Sequence, residues 1–287
     1  MLLPMKKKSM HRLDELRRMG RERLKQAGIA GYGLDADVLL MYVLQMDKNT
    51  LLTSPDKDIP DGAAAEYRKC LIKREGLMPV AYIVGKCEFM SLEFDINRHV
   101  LIPRPDTEVL VETILAAENA AEGLEIGIGS GCISVSLMFY NSQIAMDGAD
   151  ICPKAVAIAR ENACKHNVTA NFFVSDVFEN MPPRRYDFIV SNPPYIPTGD
   201  IAALGLNVRG YEPANALDGG PAGLDFYRRV AAGTNFLRKG GRIYFEIGHN
   251  QGRDVAEILS AAGFSEIGIK RDIAGKDRVV HAIIRKE

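Results

Sequence analysis

The spacing of apolar residues divides this chain of 287 residues into regions of different character. Up to residue 85, apolar residues such as Leu13, Leu16 and Leu24 recur at helical spacing among charged residues, which is typical of amphipathic helices. From residue 79 to 103, including Val80–Gly85, they form short or alternating runs, which predict a β-hairpin that turns near Met90–Ser91. The sequence therefore predicts a helical domain at residues 1–85 and a hairpin with a proline-stiffened linker at residues 86–104.

Beyond residue 105 the pattern alternates between helical segments and short apolar runs. The first helix is expected to run through Ala117, with Asp106 or Thr107 as its cap. Such alternation is typical of an open, mostly parallel sheet, so residues 105–287 are predicted to form an α/β domain. The predicted strands are 124–126, 143–150, 171–174, 186–190, 241–247, 267–272 and 278–284, and the later helices are 132–140, 153–166, 225–236 and 251–262.

Candidate binding residues stand where four of these strands end. They are the glycine-rich loop Gly127–Gly131, the acids Asp150 and Asp176, and the amide Asn192. Ligands of parallel α/β sheets bind beyond the carboxyl ends of the strands. The four positions are therefore predicted to share one ligand-binding edge.

The loop after the first strand predicts a ligand that lies against the backbone, because its alternate glycines leave room there. Its G-x-G-x-G spacing is not the dinucleotide fingerprint, and no Walker lysine follows, so a phosphate site is not supported. Asp150 comes 19 residues after Gly131 and suits a ribose with two hydroxyls. An adenosyl ligand without a pyrophosphate fits, and S-adenosylmethionine is the obvious candidate. The alternative is a tight turn with a solvated carboxylate.

The fourth strand ends at Asn192-Pro193-Pro194-Tyr195. The two prolines cannot donate backbone N–H groups, so they end the strand and stiffen the segment after it. The Asn192 side chain and the backbone carbonyl before Pro194 can both accept hydrogen bonds from a single NH2 group, and Tyr195 offers a flat face. These residues predict a pocket for a planar amide or amine. Taken alone, they fit a simple strand-ending turn equally well.

Composition narrows the class of protein. The net charge is −1, from 36 basic and 37 acidic residues, so no global field attracts nucleic acid or an anionic membrane. The five cysteines show no CxxC spacing and predict free thiols in a reducing cytosol, with no metal site. Residues 1–8 lack the order of a signal peptide, and no run approaches the roughly 18 apolar residues of a membrane span. A cytoplasmic protein without a membrane or a stable nucleic-acid partner is expected.

Further motifs carry a family resemblance. The glycine loop and the Asn-Pro-Pro-Tyr segment alone would match many amino-group methyltransferases. More specific segments are Leu101–Glu108, Tyr211–Pro213, Ala216–Gly220, Glu246–Gly248 with Gln251, and Asp272–Arg278. With these segments the chain resembles, over nearly its whole length, the HemK/PrmC family of glutamine methyltransferases, which modify peptide-chain release factors.

The resemblance implies a Rossmann-like S-adenosyl-L-methionine-dependent methyltransferase fold with a small helical substrate-docking domain at its N-terminus. It implies methyl transfer to the side-chain nitrogen (N5) of a glutamine in the GGQ motif of a release factor, and we expect a monomer. It assigns cofactor contacts to Gly127, Ile128, Gly129, Ser130, Gly131, Asp150, Val177 and Asn192. It assigns substrate binding to Asn192, Pro193, Pro194 and Tyr195, with Asn192, Pro193 and Tyr195 as the catalytic residues.

Two positions depart from the family pattern. Glu125 stands where the family usually has Asp, beside the methionine end of the cofactor, and Val177 stands where some members have an aromatic residue. Neither change removes the expected chemistry, because the strand-end residues of the predicted pocket are all present.

The expected mechanism is direct attack of the amide nitrogen on the methyl group. Asn192 and the Pro193 carbonyl would hold the two amide hydrogens, and positioning would supply most of the catalysis. No side chain suggests a strong base, since His166, His249 and His281 lie away from the grouped strand ends. The alternatives are a glutamine methyltransferase of a ribosomal protein, an amino-group methyltransferase of nucleic acid, and a non-catalytic scaffold.

Overall fold

A computed structural model describes residues 10–285 of the chain. The expectation about a signal peptide, and the first residues of the predicted helical domain, lie outside these described residues. The described chain divides into two compact units. The first comprises the residues up to Gly85 together with Leu206–Tyr211, and the second comprises Lys86–Gly205 and the residues from Glu212 onward. Within residues 10–285, no helix combines the length and the apolar character that a bilayer span requires.

The first unit is helical, as the apolar periodicity predicted. Its buried core includes Leu13, Leu16 and Leu24, which share one face of the first helix. Val80–Val84 is a helix, although the short apolar run there was grouped with extended segments; a run of five residues is too short for its period to be recognised. The elements are β1 (Met10–Arg12), α1 (Leu13–Gln26), α2 (Tyr32–Leu44), α3 (Lys48–Thr53), β2 (Asp58–Pro60), α4 (Asp61–Glu75) and α5 (Val80–Val84).

The predicted hairpin is confirmed. β3 (Lys86–Phe89) pairs antiparallel with β4 (Leu92–Asp95), and the two turn residues Met90 and Ser91 both have positive φ, as a tight two-residue hairpin requires. The hairpin belongs to the second unit. A short 3-10 turn, Pro105–Thr107, then leads into α6 (Glu108–Ala117).

The predicted side-chain capping of α6 is wrong, although Thr107 occupies the capping position. Thr107 precedes the helix, but neither its side chain nor that of Asp106 bonds to the first helical N–H groups. Asp106 instead pairs with Arg278 at 2.9 Å, and Thr107 accepts a hydrogen bond from Asn192. Both side chains are therefore directed to other parts of the second unit.

The described residues of the second unit build a seven-stranded sheet in the order β10-β11-β9-β8-β5-β6-β7. Among these strands, β11 alone runs opposite to the other six, which confirms the predicted, mostly parallel sheet. The strands are β5 (Ala121–Ile126), β6 (Ile144–Asp150), β7 (Asn171–Val174), β8 (Tyr186–Ser191), β9 (Leu237–Glu246), β10 (Phe264–Arg271) and β11 (Asp277–Ile284). The later helices of the chain are α7 (Cys132–Tyr140), α8 (Pro153–Lys165), α9 (Leu206–Arg209), α10 (Asp225–Ala231) and α11 (Gly252–Ala261).

Burial explains the central strands. β5 and β8 are buried at nearly every position, as expected for parallel strands whose two faces are both covered. β9 begins at Leu237, earlier than the predicted start at Gly241. α10 ends earlier than predicted, at Ala231, and Gly233 separates it from a short 3-10 turn.

The topology positions the ligand site. From β5 the chain proceeds to β6 and β7 on one side, and it then returns to place β8 on the other side of β5. The crevice between the carboxyl ends of β5 and β8 therefore lies at the topological switch point, where ligands of α/β sheets bind.

Candidate active site

The four predicted strand ends meet around one cavity of about 250 Å³ in the second unit. It is lined by residues 127–130 of the glycine loop after β5, by Asp150 after β6, by Asp176 and Val177 after β7, and by Asn192 with Pro193 and Pro194 after β8. Gly131, a predicted cofactor contact, is not part of this wall. The linker and α10 complete the wall. Further residues of this wall are His99, Thr107, Glu125, Phe226 and Arg229.

Two glycines of the loop leave its backbone open. Gly127 and Gly129 have φ values of +79° and +52°, and a Cβ on either would meet nothing within 4 Å. Gly131 has a different role, because a Cβ there would lie 3.0 Å from the Ala159 Cβ in α8. The loop therefore allows a ligand to approach its backbone and also allows close helix packing.

Asp150 holds the glycine loop in place. One oxygen, Oδ2, accepts a hydrogen bond from the Gly129 N–H at 2.9 Å, and Oδ1 accepts one from the Cys152 N–H at 2.9 Å. Burial raises the pKa of this carboxyl, and the two backbone hydrogen bonds oppose that rise. Each oxygen retains capacity for a further donor, so the group suits the two hydroxyls of a ribose.

Val177 lines the cavity beside residues that the sequence analysis missed. It is buried and has a φ of +54°, which is rare for a β-branched residue. Asp176 pairs with Arg229 at 2.7 Å, and the Arg229 guanidinium carbon lies 5.4 Å from the centre of the Phe226 ring. Phe226 adds an aromatic ring to the cavity wall that also contains Val177. No sequence motif marks Phe226, because it lies on α10, far from Val177 in the sequence.

Asn192 faces the cavity. Its Nδ2 donates to Thr107 Oγ1 at 3.3 Å, which leaves the amide oxygen available to a ligand. Ser191, the last residue of β8, donates from its hydroxyl to the Ile126 carbonyl at 2.6 Å and so ties this strand end to β5. The structure thus brings Asn192 together with the glycine loop, as the sequence predicted.

Tyr195 is placed differently from its three neighbours. It does not line the cavity, and its hydroxyl donates to Glu246 Oε1 at 3.4 Å. Burial raises the pKa of Tyr195 well above its ordinary value, so the hydroxyl keeps its proton. The expected flat face for the substrate is therefore not part of this cavity wall.

Glu125 uses its additional methylene to reach α7. Its Oε2 accepts from the Ser134 N–H at 3.0 Å and from the Ser134 hydroxyl, in the first turn of that helix. The side chain is 1% exposed, and burial raises its pKa to about 8. A mostly protonated carboxyl therefore lies at the cavity wall near neutral pH. His99 is a further lining residue that the sequence analysis did not select; desolvation, with the charges of Lys154 and Arg98, lowers its pKa.

The motifs behind the family resemblance brace the proline-stiffened segment. Gln251 donates from Nε2 to the Tyr195 carbonyl at 3.0 Å and to the Gly223 carbonyl at 3.2 Å. Gly219 packs so closely that an added Cβ would lie 2.7 Å from the Pro194 carbonyl oxygen. The backbone of the segment is thus held on both sides.

A buried glutamate fixes the linker. Glu212 is 6% exposed, and its Oε2 accepts from the Ile102 N–H at 3.3 Å while Oε1 pairs with Arg104. Because Ile102 and Arg104 precede the cavity residue Thr107, this contact sets the course of the linker along the cavity wall.

The fold and the strand-end site together define the class, an α/β methyltransferase. Residues 105–204 match the family model for the methyltransferase small domain. A crystal structure of a methyltransferase from Pyrococcus furiosus superposes with a TM-score of 0.54 at 15% identity, over 77% of this chain and 99% of that one.

Sequence relatives define the particular family. Residues 15–85 match the family model for the PrmC N-terminal domain. The release factor glutamine methyltransferase of Geobacter sulfurreducens is 40% identical over 259 residues, which cover 90% of this chain and 91% of the relative. The enzyme of that name from Cereibacter sphaeroides is 40% identical over 263 residues, covering 91% and 94%. The chain belongs to the release factor glutamine methyltransferase family, which confirms the resemblance.

Proposed function

We propose that this protein transfers a methyl group from S-adenosyl-L-methionine to the side-chain nitrogen of a glutamine in a peptide chain release factor. The observation that carries the proposal is Asn192, whose amide oxygen is free at a cavity that also contains the open glycine loop. Family membership supports the same reaction, and the GGQ glutamine is the expected target.

The cavity fits the proposed cofactor. The positions of Gly127 and Gly129 leave their backbone open to it, and Asp150 has acceptor capacity for ribose hydroxyls. S-adenosyl-L-methionine supplies an electrophilic methyl group on a sulfonium when it is bound. We assign its binding to Gly127, Ile128, Gly129, Ser130, Gly131, Asp150, Val177 and Asn192, and we add Phe226 as a surface for the adenine ring.

The substrate amide is held by two acceptors. The Asn192 oxygen and the Pro193 carbonyl would each accept one hydrogen of the glutamine NH2 group, which aligns its nitrogen. An amide nitrogen is a poor nucleophile, so acceptors that favour positive charge on it lower the barrier. The proton then leaves to water, because a protonated amide nitrogen is strongly acidic. Tyr195 would help to hold the Asn-Pro-Pro-Tyr segment in place, because its hydroxyl donates to Glu246.

The N-terminal region is proposed to dock the release factor. Its match to the PrmC N-terminal domain supports a division into residues 1–85, a hairpin and linker at 86–104 and a catalytic domain at 105–287. We further propose that the protein acts in the cytoplasm as a monomer, without a stable nucleic-acid or membrane partner.

The test is incubation of the full chain with S-adenosyl-L-methionine and bacterial-type release factors, followed by mass spectrometry of the peptides. We expect one added methyl group on the GGQ glutamine, and none on a release factor in which that glutamine is replaced by alanine. Labelled methyl groups on ribosomal proteins or DNA instead of the release factor would contradict the proposal and favour one of the alternative substrates.

A further inference from the structure

Glu246 lies behind the proposed amide site. It is the last residue of β9, whose preceding residue, Phe245, pairs with Ser191 at the end of β8. The side chain is 1% exposed and does not line the cavity. Such a position calls for an explanation, because burial of a charged carboxyl group is costly unless the group is paired and hydrogen-bonded.

Two hydroxyl groups converge on this carboxyl group. Tyr195 donates to Oε1 at 3.4 Å, whereas Oε2 is buried without a hydrogen-bond partner among the described residues. The Thr107 hydroxyl faces the same side chain and lowers the pKa of its carboxyl group. Thr107 is also the acceptor for Asn192 Nδ2 at 3.3 Å. Thr107 therefore stands between Asn192 at the cavity wall and a buried carboxyl oxygen that lacks a donor within residues 10–285.

The donors and acceptors of these three side chains set the direction of the hydrogen bonds that they can form. A hydroxyl has one proton, and a carboxylate can only accept. When Glu246 is ionised, Thr107 must donate its proton to the carboxylate and can only accept from Asn192. The asparagine then presents its NH2 group to Thr107 and its oxygen to the cavity. When Glu246 is protonated, it can donate to Thr107, and Thr107 is free to donate to the asparagine oxygen, which would turn the NH2 group to the cavity.

We propose that Glu246 is a positioning residue whose carboxylate fixes the direction of the Asn192-to-Thr107-to-Glu246 hydrogen bonds and so keeps the asparagine oxygen facing the substrate. This inference rests on the proposed function, since it concerns the same amide site. It gives a role to the Glu246–Gly248 motif that the sequence analysis left without one. Tyr195 donates to the same carboxylate and would support the same orientation.

The surroundings make this switch sensitive to pH. Burial raises the pKa of Glu246 to about 7, and the Thr107 hydroxyl and the Arg278 charge both oppose that rise. The acids and hydroxyls that face the carboxyl are Asp106 and Tyr195, with Tyr227 and Cys132 nearby. Burial raises the pKa values of Tyr227 and Cys132 far above neutrality, so neither titrates in this window. Turnover should therefore increase as the pH rises through about 7.

The experiment measures kcat between pH 5.5 and 9 for the wild type, E246Q, T107V and T107S, with the cofactor Kd determined by calorimetry. We expect E246Q and T107V to lower kcat at pH 8 by about 10- to 100-fold, as for the loss of a hydrogen bond to a charged group. We expect both to lose the acidic limb near pH 7, with a small change in cofactor Kd. T107S keeps the hydroxyl and should retain the limb.

The matched control is E118Q. Glu118 is also a buried glutamate, 7% exposed, that accepts from a tyrosine hydroxyl, Tyr244, at 2.7 Å, but it does not line the cavity. Its variant should keep the pH profile. A limb near pH 7 that persists in both E246Q and T107V would overturn the inference. If E246Q does not fold, the pH profiles of T107V and T107S decide the question, because valine matches threonine in shape and lacks the hydroxyl.

A second readout does not depend on turnover. In the protein without cofactor, the side-chain amide NMR signals of Asn192 should shift with an apparent pKa near 7 in the wild type and stay constant in E246Q. A wild type that transfers no methyl group to the release factor would contradict the proposed function alone, and the NMR titration would still decide the role of Glu246. Constant Asn192 signals in the wild type would overturn it.

Discussion

Replacement of Asn192 by alanine removes the oxygen on which the proposed mechanism depends. That oxygen would accept one of the two amide hydrogens while the substrate nitrogen gains positive charge. A hydrogen bond to a charged group contributes about 1.5–3 kcal/mol, and each 1.4 kcal/mol corresponds to about a tenfold change in rate. Thr107, which is 2% exposed, would also lose the donor that it now has at 3.3 Å. We therefore expect N192A to lower kcat by about 100-fold.

The assay follows the transfer of a labelled methyl group to purified release factor at saturating cofactor, with the cofactor Kd measured separately by calorimetry. The Kd should change by less than about tenfold, because the glycine loop and Asp150 are untouched and hydrogen bonds contribute modestly to binding. Asn171 provides the matched control. It lies at the start of β7, and its Nδ2 donates to Asp147 Oδ1 at 2.9 Å, away from the cavity. N171A should retain wild-type kcat. Full turnover by folded N192A would refute the mechanism.

The cavity wall and its carboxyl group give three further predictions. F226A should weaken cofactor binding by about tenfold in calorimetry and leave kcat nearly unchanged at saturation, because stacking of a base on an aromatic ring contributes roughly 1–3 kcal/mol; an unchanged Kd would remove Phe226 from the site. G131A should lower the free energy of unfolding by about 1–2 kcal/mol in urea, since φ is +78° and the Cβ would lie 3.0 Å from Ala159, whereas G199A, where a Cβ meets nothing within 4 Å, should match the wild type. For Glu125, whose folded pKa is about 8 against an ordinary 4.5, the unfolded chain releases its proton first, so the unfolding free energy should fall as the pH rises between these values. In E125Q the unfolding free energy should decrease less over this pH range than in the wild type. The same pH dependence in E125Q and the wild type would show that the Glu125 carboxyl does not titrate as described.

Much of the fold was predictable because its signals are local. Strict alternation of short apolar runs and helices predicted the parallel sheet, and two consecutive prolines predicted where β8 ends. The glycine loop and the strand-end acids were predicted to share an edge, since parallel strands place their carboxyl ends together. One failed prediction also has a local cause, because Val80–Val84 is too short to show a period. The start of β9 was predicted at Gly241, and the strand begins at Leu237.

The side-chain partners of the site had no such signal. Asp106 or Thr107 was predicted to cap α6, yet the Thr107 hydroxyl accepts from Asn192, 85 residues away in sequence. Tyr195 was expected to face the substrate, and its hydroxyl instead donates to Glu246. No local pattern singled out Phe226 or Arg229. In the structure, Arg229 pairs with Asp176, and both α10 residues line the cavity.

The amino-acid sequence by itself determined the kind of chemistry available, because backbone freedom at glycines, the missing N–H of prolines and the acceptor capacity of an amide belong to single residues. It also determined the sheet, through the period of its apolar positions. Only the tertiary structure decided which way the Asn192 amide faces and which carboxyl group lies behind it. Those outcomes depend on contacts between residues far apart in the chain, and no periodic or local pattern encodes them.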